Sequence, residues 1–146
     1  MLIYADGSAL SRSVVGGPGG PDDPQLAAEV AAWRSWFAEH AGDVVTSPLG
    51  LTELRRAADP WGRAARDRAR DLADTLTVVR FYDTALGKAS QAQSVLPPFA
   101  AIHWGIATTH ADVGAIATYD AQLAQVAVLH GVEVVTPGRS AGWWAG

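Results

Sequence analysis

Apolar and polar positions follow two periods along this chain, with short apolar runs alternating with longer stretches of helical spacing. The apolar runs predict strands at residues 2–5, 44–46, 77–81, 115–118 and 132–135. The helical stretches fall at residues 8–15, 25–41, 48–54, 61–75, 83–93, 98–110 and 121–130. This order predicts a three-layer α/β/α fold, with helices on both faces of a central, mostly parallel sheet of about four or five strands.

Local signals mark where several of these elements begin and end. Ser47 precedes Pro48, which places a capping side chain before a proline at the first helical position. Gly131 follows the last predicted helix and is expected to stop it. The glycines and prolines at residues 16–21 break regular structure and predict a mobile loop.

Two of the predicted strands end in an acid. Asp6 follows the first strand, and Asp120 follows the strand at residues 115–118 after one intervening tyrosine. Ligands of open parallel sheets bind outside the carboxyl ends of the strands, so we expect these carboxylates to share one cleft. Two converging carboxylates indicate a divalent metal site. Each acid can also cap the helix that follows it, and the two roles are compatible.

Composition narrows the class of protein. The 146 residues fit one domain, and 49% apolar with 18% charged residues is typical of a folded chain. The absence of cysteine excludes disulfides and thiolate zinc sites and fits a reducing cytoplasm. No secretory leader or membrane span is expected, because the first strand begins at once and no apolar run approaches about 18 residues. A net charge of −4 argues against a generally basic nucleic-acid-binding surface.

Five short motifs, in their order and spacing, resemble the PIN-domain family, and within it the VapC-type toxins of bacterial toxin–antitoxin pairs. The motifs are LIYADGSAL at residues 2–10, LTEL at 51–54, AAIH at 100–103, TYDAQL at 118–123 and GVEVVTPG at 131–138. The resemblance covers residues 1–138 as one PIN-like domain and leaves residues 139–146 as a C-terminal tail containing glycine and tryptophan.

The resemblance implies a cytoplasmic endoribonuclease toxin that hydrolyses RNA phosphodiesters with Mg²⁺ or Mn²⁺. In this chain Asp6 and Asp120 match metal-binding acids, and Glu53 matches the acid that positions water or a second ion. Ser8 and Thr118 match positions suited to hydrogen bonds with the acids or with the backbone. The family also implies a homodimer and a VapB-type antitoxin whose helical tail covers the cleft.

One position departs from the family pattern. Ala100 stands where the motif normally has aspartate, so a metal ligand is missing. Two explanations for this alanine compete. One is a substitution introduced to disable a toxic nuclease, and the other is natural degeneration of the site. We therefore expect weak metal binding and little or no RNA cleavage by this chain. The alternative from another class is a catalytically silent PIN domain that acts as a protein-binding or regulatory module.

Other polar residues receive structural interpretations. His103 lies beside Ile102 on an apolar helix, and we interpret it as a packed, hydrogen-bonded histidine rather than a ligand. Four-residue spacing in and after the arginine-rich stretch at 55–70 predicts the surface ion pairs Asp59–Arg63, Arg63–Asp67 and Arg70–Asp74, although the arginines can also guide RNA. These arginines are Arg55, Arg56, Arg63, Arg66, Arg68 and Arg70.

Overall fold

The computed structural model describes residues 1–16 and 20–146 and contains one sheet of five parallel strands. The predicted loop at residues 16–21 lies partly outside the described residues. The strands are β1 (Leu2–Ala5), β2 (Val44–Thr46), β3 (Thr77–Val78), β4 (Val113–Ala117) and β5 (Glu133–Val135). Their spatial order is β3-β2-β1-β4-β5, which places β1 at the centre.

Seven α-helices in the described residues connect these strands in the predicted order. They are α1 (Gly7–Ser11), α2 (Pro24–His40), α3 (Pro48–Ala58), α4 (Arg63–Thr75), α5 (Asp83–Ala92), α6 (Pro98–Thr109) and α7 (Ala121–Leu129). The predicted three-layer α/β/α fold is confirmed.

The two faces of the sheet pack against separate apolar clusters. Ile3 of β1 joins a cluster with Trp33 of α2 and Leu54 of α3. Tyr4, the next residue, joins the other cluster with Trp104 of α6. Successive side chains of a strand point to opposite faces, so a strand covered on both sides has a continuous apolar run rather than an alternating one.

The capping signals act as the sequence predicts. The Ser47 side chain accepts a hydrogen bond of 3.2 Å from the Gly50 N–H, and Pro48 is the first residue of α3. Gly131 has a φ of 74°, a conformation that favours glycine over residues with a Cβ. These local signals therefore fix the start of α3 and the end of α7.

Two predicted elements are shorter in the structure. The strand expected at residues 77–81 forms only as Thr77–Val78, at the sheet edge, where β2 is its one strand neighbour. The helix expected from residue 61 starts at Arg63, because Gly62, with a φ of 91°, separates it from a 3-10 turn at Asp59–Trp61. The edge position of β3 and the backbone conformation of Gly62 therefore shorten these two elements, although the composition of both segments favours longer ones.

The surface ion pairs of α4 differ from those predicted by four-residue spacing. In the described part of the chain Arg70 pairs with Asp67 at 3.6 Å and with Asp71 at 3.5 Å, and none of the predicted pairs forms. Asp59 lies on the far side of Gly62 from α4 and is not on the same helix as Arg63. Exposed pairs of this kind contribute little to stability.

No helix in residues 1–16 and 20–146 has both the length and the apolar composition needed to cross a membrane.

Helices α5 and α6 pack so closely that Gly105 of α6 has no room for a side chain. A Cβ on Gly105 would overlap the Ala85 carbonyl oxygen and lie 3.1 Å from the Ala89 nitrogen. Gly87 of α5 is exposed and would meet nothing within 4 Å. The two helical glycines therefore differ in their packing role.

We expect Gly105→Ala to lower the free energy of unfolding by about 1–3 kcal/mol, because the added methyl group forces α5 and α6 apart. Gly87→Ala is the matched control and should raise it by about 0.5–1 kcal/mol, through the backbone entropy of glycine in a helix. Urea unfolding of both variants measures the difference. Equal effects at the two positions would contradict the close packing of α5 and α6.

Candidate functional site

Asp6 is a buried acid at the carboxyl end of β1, with 4% of its surface exposed. It is the N-cap of α1, and its Oδ1 accepts hydrogen bonds from the Ser8 hydroxyl at 2.7 Å and the Ala9 N–H at 2.9 Å. The Thr118 hydroxyl donates to Oδ2 at 2.6 Å. Both carboxylate oxygens are therefore held by hydrogen-bond donors.

The pKa of Asp6 is raised above 3.8, first because burial penalises the charged form. A charge on His103, where that ring is protonated, and the hydrogen bonds from Ser8, Thr118 and Ala9 would lower the pKa of Asp6, but they do not overcome burial. A divalent cation beside this carboxylate would favour its charged form.

The backbone of Asp120 is linked to the Asp6 carboxylate through the Thr118 hydroxyl. β1 and β4 are neighbours with Ala5 opposite Ala117, so residues that follow the two strands emerge side by side. The Asp120 N–H donates to the Thr118 hydroxyl oxygen at 3.0 Å, and the same hydroxyl donates to Asp6. Asp120 also caps α7 through Oδ1, which accepts from the N–H groups of Gln122 and Leu123. Both acids therefore have the capping role that their positions allowed.

Glu53 approaches the same edge from α3 and packs on Gly7, the residue after Asp6. A Cβ on Gly7 would overlap Glu53 and lie 2.6 Å from its Cδ, so a side chain at position 7 would displace the carboxylate. The Oε1 of Glu53 accepts a hydrogen bond from Nε2 of His103. The close contact with Gly7 brings the third predicted acid to the end of β1.

His103 belongs to a buried polar chain that sequence reasoning did not assemble. Its Nδ1 lies 2.7 Å from the Tyr4 hydroxyl, which is 2.8 Å from the Ser47 hydroxyl. The interpretation of His103 as a packed, hydrogen-bonded histidine is confirmed, but its partner Glu53 was not foreseen. The sequence signal for this polar chain is the tyrosine inside the strand that precedes Asp6, because a buried hydroxyl requires a hydrogen-bond partner.

Ala100 is the third residue of α6 and is buried in the same apolar cluster as Tyr4 and Trp104. It precedes His103 by three residues, and residues at this spacing have Cβ atoms about 5–6 Å apart on one helix face. Position 100 therefore lies near the histidine that contacts Glu53. A carboxylate there would be close to the acids, whereas the alanine supplies a methyl group.

The chemistry of the acids fits a hard cation, but their number does not. Mg²⁺ takes oxygen ligands and usually binds one or two carboxylates together with water. In residues 1–16 and 20–146 no group of three or more His, Asp or Glu side chains has the geometry to hold a metal ion. Both Asp6 oxygens and one Asp120 oxygen already accept hydrogen bonds, and position 100 provides no oxygen. The metal site stays a prediction.

A buried ion cluster adjoins the site beside Tyr119. Glu29 of α2 is 1% exposed and pairs with Arg12 at 2.8 Å and with Arg139 at 2.9 Å. Burial alone would raise the pKa of Glu29, but hydrogen bonds from Arg139, Arg12 and Gln25 outweigh it, and the pKa is lowered. Arg12 also stacks over the Tyr119 ring at 4.2 Å. The cluster fastens the start of the segment at residues 139–146 to α2.

Comparisons with protein-family models, with curated proteins and with solved structures found no match to this chain. The resemblance to the PIN-domain family therefore rests on the sequence motifs alone.

We expect the difference in stability between Asp6→Asn and the unchanged protein to shift in favour of the variant as pH rises, whatever the loss of one acceptor oxygen costs at every pH. Above pH 3.8 the unfolded state releases the Asp6 proton while the folded state retains it, so stability is lost until the raised folded pKa is passed. Asparagine carries no charge and removes this loss. Urea unfolding of both proteins between pH 4 and pH 8 measures the growing difference.

Asp23→Asn is the matched control, because Asp23 is an exposed N-cap that accepts a hydrogen bond from the Gln25 N–H. Its effect on stability should not grow with pH in the same way. A constant difference between Asp6→Asn and the unchanged protein would show that the Asp6 charge is not penalised by burial.

Proposed function

We propose that this protein is a VapC-like, metal-dependent endoribonuclease toxin of the cytoplasm, disabled or weakened by alanine at position 100. The observation that carries the proposal is that three acids from separate elements lie at the carboxyl edge of the sheet. Glu53 packs on Gly7 next to Asp6, and Thr118 joins Asp6 to Asp120. This arrangement supports the assignment that the motifs suggest.

In the proposed reaction Asp6 and Asp120 would hold Mg²⁺ or Mn²⁺, and Glu53 would orient the attacking water. A bound divalent ion would supply Lewis-acid chemistry, acidifying water and neutralising charge on phosphate oxygens. Ser8 and Thr118 keep the Asp6 carboxylate in one orientation through their hydroxyl groups. An aspartate at position 100 would complete the set of oxygen ligands.

The family resemblance implies the proposed partners. An arginine from the helical tail of a VapB-type antitoxin would neutralise the acids at this edge and cover the cleft. A homodimer would bury the exposed apolar side chains of α5, α6 and the segment between β3 and α5. Tyr82 is 69% exposed, Leu86 42% and Phe99 59%.

We expect Leu86→Glu to convert the proposed dimer into a monomer, because an unpaired carboxylate would be buried in the interface. Leu129→Glu is the matched control, since Leu129 is 82% exposed and belongs to α7, which is not part of the proposed interface. Light scattering coupled to size-exclusion chromatography measures the mass. A monomeric unchanged protein, or equal effects of the two variants, would contradict this interface.

A second candidate is the catalytically silent PIN domain that binds a protein. The packing of Ala100 favours it, because the methyl group is 7% exposed within an apolar cluster and leaves no polar atom unpaired. A site adapted to alanine over a long time would have lost its fit to a carboxylate. Restoring the carboxylate therefore distinguishes the two candidates.

We expect the Ala100→Asp protein to cleave a mixed total-RNA substrate with Mg²⁺ or Mn²⁺, and EDTA to abolish this cleavage. The unchanged chain should cleave the same substrate slowly or not at all. The added carboxylate supplies the missing ligand near Asp6 and Asp120. Gel analysis of the RNA products measures the cleavage.

Ala100→Asn is the matched control, because asparagine has nearly the same shape without the charge. It should fold as Ala100→Asp does and remain inactive. Absence of cleavage by a folded, dimeric Ala100→Asp protein would contradict the nuclease proposal and favour the binding module.

A further inference from the structure

Glu53 is held by a chain of buried polar groups that reaches it from the start of α3. The Ser47 hydroxyl lies 2.8 Å from the Tyr4 hydroxyl, which lies 2.7 Å from Nδ1 of His103. Nε2 of His103 then contacts Oε1 of Glu53. The chain crosses from β1 to α6 and returns to α3, so it links three elements of the site.

Burial leaves these groups dependent on one another. Tyr4 and Ser47 are fully buried, and His103 is 3% exposed. A buried donor or acceptor without a partner costs about 1–3 kcal/mol, so the arrangement that pairs every group is strongly favoured.

The direction of the hydrogen bonds follows from the two ends of the chain. At one end the Gly50 N–H donates to the Ser47 oxygen at 3.2 Å. At the other end an ionised Glu53 can only accept, so His103 donates from Nε2. Nδ1 of the neutral ring is then an acceptor. The Tyr4 hydroxyl donates to it and accepts in turn from the Ser47 hydroxyl.

A protonated His103 would reverse the middle of the chain. Nδ1 would donate to Tyr4, and Tyr4 would donate to Ser47. The Ser47 proton would then have no acceptor among the described residues, because its hydroxyl contacts only Tyr4 and the Gly50 N–H there. The neutral ring with its proton on Nε2 pairs every group.

We propose that His103 is a positioning residue, locked by Tyr4 in the neutral Nε2–H tautomer, which fixes the Glu53 carboxylate on Gly7 beside Asp6. The role of Glu53 in catalysis rests on the proposed function, whereas the tautomer and the direction of the chain do not. The other oxygen of Glu53, Oε2, has no hydrogen bond within the described residues and is left to orient a water molecule.

Glu53 has the properties of a residue that needs such support. Its side chain is 30% exposed, and a glutamate side chain loses about 1.5–2 kcal/mol of rotamer entropy when fixed in one conformation. The contact with Gly7 restricts where the carboxylate lies, and the His103 donor selects which oxygen is bound. Preorganisation of this kind matters most at a reacting centre.

The first test reads the tautomer directly by long-range ¹H–¹⁵N correlation NMR of the unchanged protein, labelled at histidine. The other histidines provide internal references. Nδ1 of His40 and of His130 lies 2.8 Å and 2.9 Å from a backbone carbonyl oxygen, so both rings must donate from Nδ1. His110 contacts a carbonyl through Nε2 at 2.9 Å.

We expect His103 at neutral pH to show the Nε2–H pattern shared with His110 and opposite to His40 and His130. The signals are assigned by their loss in His103→Gln. An Nδ1–H tautomer, a mixture of tautomers or a charged ring at position 103 would overturn the proposal.

The second test separates positioning from packing in the Ala100→Asp protein. His103→Gln keeps an N–H that can donate to Glu53, whereas His103→Met keeps the bulk without a donor. We expect His103→Met to lower kcat by about 10-fold at unchanged KM for RNA, in line with the loss of a supporting hydrogen bond, and His103→Gln to retain most of the rate.

Equal losses in the two variants, or no loss in either, would overturn the positioning role. If the Ala100→Asp protein itself does not cleave RNA, the proposed function fails, and positioning in that reaction fails with it. The tautomer is then still decided by NMR. The NMR test of the tautomer uses the unchanged chain, so it can be performed even if a variant does not fold.

Discussion

The burial of the Asp6 carboxylate is the constraint on which the arrangement of this edge depends. A charged group removed from water is costly unless donors surround it, and here the donors come from α1 and from the residue after β4. Satisfying this one group therefore fixes the start of α1 relative to two neighbouring strands. The raised pKa of Asp6 shows that the hydrogen bonds compensate burial only in part.

The sequence was sufficient for the order of elements and for the acids at the strand ends, because both depend on local patterns. Asp6 and Asp120 each follow an apolar run and cap the next helix, so a single side chain satisfies a strand end and a helix start. A parallel sheet then brings such positions to one edge without further information. The placement of Glu53 depended on the family resemblance, and its contact with Gly7 is visible only in three dimensions.

The remaining features depend on partners far away in sequence. The sequence pattern indicates Tyr4 only as one more apolar strand residue. Its hydroxyl nevertheless joins Ser47 to His103, which lie 43 and 99 residues after Tyr4 in the sequence. No periodicity carries that information. The short β3 strand and the late start of α4 have another cause, because sheet position and the backbone of Gly62 outweighed composition. Exposed arginine side chains pair with acids other than those predicted, because a long side chain in water can form several ion pairs of similar energy.

The central position of β1 has a consequence for the synthesis of the chain. Strand β1 is synthesised well before its neighbour β4, with which it pairs with Ala5 opposite Ala117, and Thr118 must follow before Asp6 has all its donors. At about 5–20 residues per second, the amino-terminal strand waits several seconds with one side unpaired. The donors of Asp6 are therefore complete only after Thr118 has been synthesised, and a nascent chain that stops before this residue lacks the assembled edge.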